Sequence, residues 1–285
     1  MKEKKLYLTV KDHSVSGEEF QLFYNEDMEM LETYPQPSSK KLPNYYKSEN
    51  YISHTDSKRN LFEQIYHLVK WISLKRKLRL INSFQSGTSD LLDVGCGTGD
   101  FLKIAQQNNW DVKGIETNEK ARKLANIKTN YSVFGNEQVL KFEPNSFDII
   151  TLWHVLEHLP RLEEHLSILH KLLKPNGTLI IAVPNFKSYD AQYYKGFWAA
   201  YDVPRHLWHF SKHSISKLVA CYKMKVFEIL PMKFDAFYVC LLSEKYRSGF
   251  MNPLKAFWIA YLSNLKANGS QEYSSLIYII KNNKN

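Results

Sequence analysis

The chain has 285 residues, 44% of them hydrophobic and 24% charged, and carries a formal net charge of +9. This is the composition of a globular protein with one large core, or a core and an appendage, and it excludes disordered, collagenous and disulfide-rich classes. Cys96, Cys221 and Cys240 are too scattered for a metal cluster or a disulfide framework, no apolar run approaches the roughly 18 residues of a membrane span, and the basic N-terminus lacks a signal peptide's apolar stretch, so a reducing cytoplasm is the expected location.

Residues 1–60 read as a β-rich extension. Short β-like runs over 5–10, 18–24 and 28–34 alternate with polar turns holding Gly17 and Asn25-Glu26-Asp27, and Pro35 and Pro37 end them. A segment with Tyr45, Tyr46 and Tyr51 follows. No cysteine precedes Cys96, so the extension is expected to fold without metal. Over 61–81, Leu61, Ile65, Leu68, Val69 and Ile72 recur at the spacing of a helix face. The basic run Lys75-Arg76-Lys77-Leu78-Arg79 is either a solvated face of that helix or a contact for an anionic surface. A polar linker over 83–90 contains Gly87.

From residue 91 strands and helices alternate, which calls for a mainly parallel sheet. The first strand runs into Asp93-Val94-Gly95-Cys96-Gly97-Thr98-Gly99 and then Asp100, where a helix begins. Glycine lets a backbone turn sharply and lets a ligand press against it. A dinucleotide fingerprint spaces its glycines G-x-G-x-x-G. Here the third glycine comes one residue early, and Asp100 would repel a diphosphate yet suit a ligand bearing an ammonium group. The ligand implied is a nucleoside carrying an amino acid. Cys96 reads as a small packing residue inside the loop. A second strand over 111–115 ends in Glu116, placed to accept both ribose hydroxyls.

On these residues the chain resembles the class I S-adenosylmethionine-dependent methyltransferases. Their fourth-strand unit matches Ser146-Phe147-Asp148-Ile149-Ile150-Thr151, running into Trp153-His154-Val155-Leu156-Glu157-His158-Leu159, and their fifth matches the stretch from Leu172 through Pro175-Asn176-Gly177 to Asn185. Four motifs in order make the likeness specific. It implies a Rossmann-like seven-stranded sheet, mostly parallel with an antiparallel last strand, over 91–285, after the extension (1–60) and a helix and linker (61–90). Helices are expected over 100–107, 118–127, 161–173 and 212–222, and strands over 131–134, 225–230 and 275–281. Two inserts exceed the minimal fold. Residues 186–210 hold nine aromatics in twenty-five residues. Residues 235–270 are expected to form two helices, the second with Asn252 as N-cap, Pro253 in the first turn and a stripe of Leu254, Phe257, Trp258, Tyr261, Leu262 and Leu265.

The resemblance implies S-adenosylmethionine as cofactor, held by Asp93, Gly95, Cys96, Gly97, Gly99 and Glu116, with Asn136 at the adenine and Trp153 beside cofactor or acceptor. Ligands of open α/β sheets gather at the strands' carboxyl ends. His154, just past the fourth strand, is the first candidate for a base, since imidazole titrates near neutrality. Arg205, His206 and His209 stand among aromatics and suit a polar or acidic aromatic acceptor, with 186–210 and the helix near 253–267 covering its pocket. His154 and His158 are spaced i,i+4, but without a third ligand no metal site is expected. The leading reading is methylation of a small molecule, similar to the branch that includes quinone-biosynthesis O-methyltransferases. The alternatives are an RNA or protein methyltransferase and a non-catalytic S-adenosylmethionine-binding protein. Nucleic acid is disfavoured because Thr151-Leu152-Trp153-His154 replaces the Asn/Asp-Pro-Pro-Tyr of amino-methylating nucleic-acid enzymes. The basic balance leaves peripheral contact with an anionic membrane open, and oligomeric state is not readable.

Overall fold

Strands buried on both faces read as continuous apolar runs, and the run through Leu91 and Leu92, both fully buried, forms an interior strand of the main sheet. The computed structural model describes residues 5–38, 40–46, 61–84 and 89–283, without the side chains of Pro43 and of residues 61–68. Tyr51, Gly87 and the side chains of Leu61, Ile65 and Leu68 lie outside the described residues. In chain order the strands are β1 (Lys5–Lys11), β2 (Glu19–Asn25), β3 (Met30–Tyr34), β4 (Ser89–Val94), β5 (Trp110–Ile115), β6 (Val133–Phe134), β7 (Phe147–Trp153), β8 (Leu173–Pro184), β9 (Trp208–His209), β10 (Met224–Pro231) and β11 (Ser275–Asn282). The helices are α1 (Leu61–Asn82), α2 (Asp100–Gln106), α3 (Glu119–Lys128), α4 (Leu162–Leu172), α5 (Tyr189–Tyr194), α6 (Lys212–Ala220), α7 (Asp235–Ser248) and α8 (Pro253–Ser270).

The seven-stranded sheet has the order β10-β11-β8-β7-β4-β5-β6 and is mostly parallel with antiparallel C-terminal strands. The chain divides into two compact units. One comprises His54–Trp153, Glu163–Ile181 and Ile280–Asn285. Within it β4 pairs in parallel with β5 and with β7, matching Val94 to Ile115 and to Leu152, and β5 pairs with β6 through Ile115 and Phe134. That register brings the carboxyl ends of four strands level, so that Gly95, Glu116, Gly135 and Trp153 stand at one edge. Lys174 bridges Asp90 at 2.7 Å and Asp148 at 2.8 Å within the same unit.

The other unit comprises Met1–Ser53, His154–Leu162 and Ala182–Ile279. Its antiparallel sheet has the order β1-β2-β3-β9, so the N-terminal strands recruit a fourth from the aromatic segment, with Leu31 opposite His209 and Glu32 opposite Trp208. Phe20, Leu22 and Leu31 of these strands share a core with Trp198, Tyr201 and Ile259. The nine-aromatic segment is therefore largely core: Phe186, Tyr194, Trp198, Tyr201 and Phe210 are all buried.

The α8 stripe departs from expectation. Asn252 caps the helix, accepting the Lys255 amide at 3.1 Å, and Pro253 occupies its first turn. Yet Leu254 is 85% exposed and Trp258 57% exposed, and Phe257, Tyr261 and Leu265 are exposed as well. The buried face is made of Ala256, Ile259, Ala260, Ser263 and Ala267. Small side chains let α8 approach α7 closely, and Ser263 donates a 2.7 Å hydrogen bond to the buried Asp190. Close approach thus selected the small face, and the aromatic stripe turned outward. Ala260→Leu should cost about 1–3 kcal/mol by overpacking, whereas Leu254→Ala should stay within about 0.5 kcal/mol of the parent. Urea denaturation of both variants measures the contrast.

Candidate functional site

The glycine loop between β4 and α2 holds Gly95, Gly97 and Gly99 at φ of 71°, 56° and 77°, a left-handed region that other residues enter at a cost. Its two ends differ in crowding. A Cβ on Gly99 would lie 2.9 Å from Ala125 of α3, while one on Gly97 would meet nothing within 4 Å. Gly99 thus serves close packing, and Gly97 presents bare backbone to open space. The Gly95 and Cys96 amides both donate to the Ile115 carbonyl, at 2.7 and 3.1 Å, which ties the loop to the end of β5.

Glu116 comes next in the chain. One carboxylate oxygen accepts the Gly97 amide at 2.8 Å and the other accepts the Asn118 amide at 2.7 Å. A carboxylate offers about four acceptor positions, so two stay available to a ribose diol. Asp93 lies beneath the loop, 3% exposed, and accepts a hydrogen bond from the Thr151 hydroxyl at 2.6 Å. Burial pushes its carboxyl up to about 7 against the Thr151 bond and the Lys77 charge. Burial likewise pushes the Cys96 thiol far up, which suits packing and not nucleophilic attack. Trp153 closes the edge, 5.8 Å from Phe101 edge to face and beneath the Lys77 ammonium, 4.5 Å from its ring centre. Its indole N–H is buried and makes no hydrogen bond among the described residues. Asn136 opens the short turn Asn136–Lys141 after β6 and is exposed.

Asp100 needs a correction. In place of a ligand ammonium it already holds Lys70 at 2.7 Å and Lys128 at 2.6 Å. Burial alone would raise its carboxyl, and the two lysines bring it below the usual range. Bare backbone at Gly97, spare acceptor positions on Glu116 and an unused indole N–H together fit a nucleoside with an amino-acid tail.

The four residues expected to act on an acceptor all lie in the other unit, and their partners give them different work. His154 sits at φ 57°, with Nε2 2.9 Å from Asp235 and Nδ1 3.5 Å from Glu157. Desolvation opposes its charge, but the two carboxylates win and push the imidazole up to about 10. It is a cation near neutrality, without the lone pair that a general base needs. Arg205 is buried, and its guanidinium grips Asp202 through two bonds of 3.0 and 2.7 Å, Asp12 at 3.2 Å, the Tyr45 carbonyl at 3.0 Å and the Ser14 hydroxyl. Its donors are committed to fastening the turn after β1, so the expected acceptor contact gives way to a structural staple.

His209 is buried against Thr33, whose hydroxyl donates to the His206 carbonyl at 2.7 Å. The Thr33 oxygen must therefore accept the Nε2–H of His209, 3.0 Å away. Burial holds that imidazole well below its usual value and neutral. His206 is buried too, its Nδ1 2.9 Å from the Ala200 carbonyl. The sequence assigns no role to Asp12, Asp202 or Asp235, whose partners Arg205 and His154 become visible only in the fold. Glu157 was quoted within a motif without a role, although an acid between two histidines was the available signal. An aromatic cleft of about 420 Å³ opens in this unit, lined by Tyr7, Tyr24, Phe186, Lys187, Gln192 and Glu272.

Two outcomes follow from this geometry. Gly97→Val meets no neighbouring atom but forces a β-branched residue to φ 56°, so it should lower thermal stability modestly and S-adenosylmethionine affinity at least tenfold, while Gly99→Ala, which meets Ala125 as well, should weigh mainly on thermal stability. Calorimetric titration and a melting curve on each variant separate the two effects. Burial opposes the charge of Asp12, but the Ser16 amide and the Arg205 guanidinium hold its carboxyl down at about 2, from 3.8. A depressed folded value means that its stabilisation is complete above pH 4 and is lost as pH falls toward 2. Asp12→Asn should therefore cost about 3 kcal/mol at pH 6, as removal of one buried partner does, and the gap to the parent should narrow between pH 4 and 2 in urea titrations.

A family model described as a methyltransferase domain matches residues 59–226. Among curated proteins, the ubiquinone biosynthesis O-methyltransferase of Burkholderia vietnamiensis is 32% identical over 107 residues, covering 34% of this chain and 46% of that protein. The demethylmenaquinone methyltransferase of Staphylococcus aureus is 33% identical over 118 residues, covering 36% and 49%. The chain thus spans about half the length of the curated relatives that it matches. Among solved structures, a magnesium protoporphyrin IX methyltransferase from Synechocystis aligns with TM-score 0.57 at 13% identity, over 86% of this chain and 100% of that one. A methyltransferase structure from Galdieria sulphuraria aligns with TM-score 0.52 at 14% identity, over 76% and 87%. Identities this low speak to the fold alone. The family match extends over more than half of the chain and includes the glycine loop, Glu116 and β7, so the chain belongs to the methyltransferase domain family, with S-adenosylmethionine as its cofactor.

Proposed function

We propose that the chain transfers the methyl group of S-adenosylmethionine to a small acceptor with a polar aromatic head and an apolar body. The observation that carries the reading is Glu116, fixed at the end of β5 by the Gly97 and Asn118 amides beside the left-handed glycine run. Glu116 binds the ribose, the backbone of Gly95, Gly97 and Gly99 receives the amino-acid end, Asn136 and Trp153 border the base, and Asp93 acts through the loop it supports. When bound, the cofactor would supply an activated methyl group on a sulfonium to an acceptor oxygen that has lost its proton to solvent. The protein's contribution is orientation and exclusion of water. The acceptor class draws on the relatives named for ubiquinone and demethylmenaquinone.

The same reading gives the outward stripe of α8 a use. Among the described residues no helix is long and apolar enough to cross a membrane. An exposed Trp258 stacked on Tyr261 at 5.9 Å, with Phe257 and Leu254 beside them on a chain of net charge +9, suits an anionic lipid surface, where such rings sit at headgroup level. The three unpaired cysteines suit a reducing compartment.

The test supplies methyl-labelled S-adenosylmethionine and, in parallel, phenols with long apolar tails in anionic vesicles, total RNA and denatured protein. Label should enter the organic-soluble phenol, and the double variant Phe257→Ser with Trp258→Ser should lose vesicle co-sedimentation while keeping cofactor affinity. Label only in RNA or protein, or cofactor binding without transfer to any acceptor, would overturn the small-molecule reading.

A further inference from the structure

Among the described residues, Glu157 is a buried carboxylate with no hydrogen-bond partner on either oxygen. It lies in the short turn Leu156–His158, 1% exposed. Buried carboxylates without such bonds are costly, and each one calls for an explanation. The His154 imidazolium at 3.5 Å faces one oxygen only and is already engaged by Asp235 at 2.9 Å. The other oxygen accepts no hydrogen bond among the described residues.

Two imidazoles stand beside this carboxylate, and both are oriented alike. His158 Nδ1 lies 3.0 Å from the Arg205 carbonyl, and His206 Nδ1 lies 2.9 Å from the Ala200 carbonyl. A carbonyl only accepts, so each ring donates its Nδ1–H there, with the Tyr46 hydroxyl oxygen also 3.0 Å from the His158 Nδ1, and keeps a lone pair on Nε2. Histidines that bind metals are held in this manner, with the far N–H given to a carbonyl or carboxylate. The rings meet edge to face at 4.5 Å, and the ligand atoms of Glu157, His158 and His206 all lie within 4.8 Å of one another. The two segments are also locked together: Leu207 N donates to the Glu157 carbonyl at 2.8 Å, and the Trp208 indole donates to the Leu159 carbonyl at 2.9 Å.

We propose that Glu157, His158 and His206 form a binding site for a divalent transition-metal ion, with zinc as the first choice. Two nitrogen ligands and one oxygen suit zinc and its first-row neighbours and do not suit calcium or magnesium, which prefer all-oxygen sites. Metal–ligand bonds of about 2.0–2.2 Å place neighbouring ligand atoms roughly 3.3 Å apart, so the three side chains close inward on binding. Three protein ligands leave one position for water or for an oxygen of a bound molecule. The sequence showed only the i,i+4 pair His154 and His158; folding sets His154 aside against Asp235 and supplies His206 from a distant segment.

The experiment strips the full chain with a chelator and titrates zinc, magnesium and cobalt separately, reading stoichiometry by calorimetry and stability by melting temperature. One equivalent of zinc should bind with micromolar affinity or tighter and raise the melting temperature, and magnesium should do neither. Cobalt should give visible d–d bands without thiolate charge transfer, which excludes Cys221 as the ligand. Glu157→Gln and His206→Gln should each weaken zinc at least a hundredfold, while His213→Gln, an exposed histidine elsewhere, should leave it unchanged. The absence of stoichiometric zinc in the parent protein, or unchanged affinity in folded Glu157→Gln, would overturn the proposal. If the variants fail to fold, the parent titration and the cobalt spectrum decide alone.

Discussion

The Ile115 carbonyl accepts two amides at once, from Gly95 and Cys96, and on that junction the cofactor end of the sheet depends. A loop of three left-handed glycines has many conformations open to it in isolation, and ordering one costs conformational entropy. Here the end of β5 selects one. Glu116 then extends the grip by one residue, accepting the Gly97 amide from the same loop. Ribose acid and glycine backbone are therefore held as one piece before any ligand arrives, which is the preorganisation that differential binding needs. The parallel register of β4 with β5 and β7 explains why the junction exists: Val94 lies level with Ile115 and Leu152, so the loop leaves the sheet where its neighbours also end.

The other unit depends on a charge instead. Arg205 gathers Asp12, Asp202 and the Tyr45 carbonyl, joining the turn after β1 to the segment before β9. Buried ion pairs add little over an apolar replacement but cost heavily when one partner is lost. They also set geometry: with the side chain of Arg205 fixed, its own carbonyl is placed to orient His158. One residue thus fastens the N-terminal sheet and aims an imidazole lone pair.

Much of this was legible in the sequence, for a physical reason in each case. The glycine spacing, the acid ending β5 and the alternation of strands with helices are local patterns that need no tertiary partner, and the structure places the loop, Glu116 and the seven-stranded sheet accordingly. The α2 and α3 starts were readable from Asp100 and from Asn118, which caps α3 by accepting the Ala121 amide. What sequence could not show was long-range choice. Arg205, His206 and His209 look like a reactive cluster in one dimension, and their partners Asp12 and Thr33 lie far away in the chain. The α8 stripe has the correct helical period but faces outward, because its alanine face packs closer. Hydrophobic periodicity identifies a helix and its two faces; it does not say which face a neighbour takes.

A glycine loop and Glu116 that hold S-adenosylmethionine should reject a dinucleotide. Direct calorimetric titration of the parent protein with S-adenosylmethionine, and separately with NAD, tests it without reference to any acceptor. One equivalent of S-adenosylmethionine should bind and be displaced competitively by S-adenosylhomocysteine, with no saturable heat from NAD. Binding of NAD in preference to S-adenosylmethionine, or no binding of S-adenosylmethionine to folded protein, would contradict it.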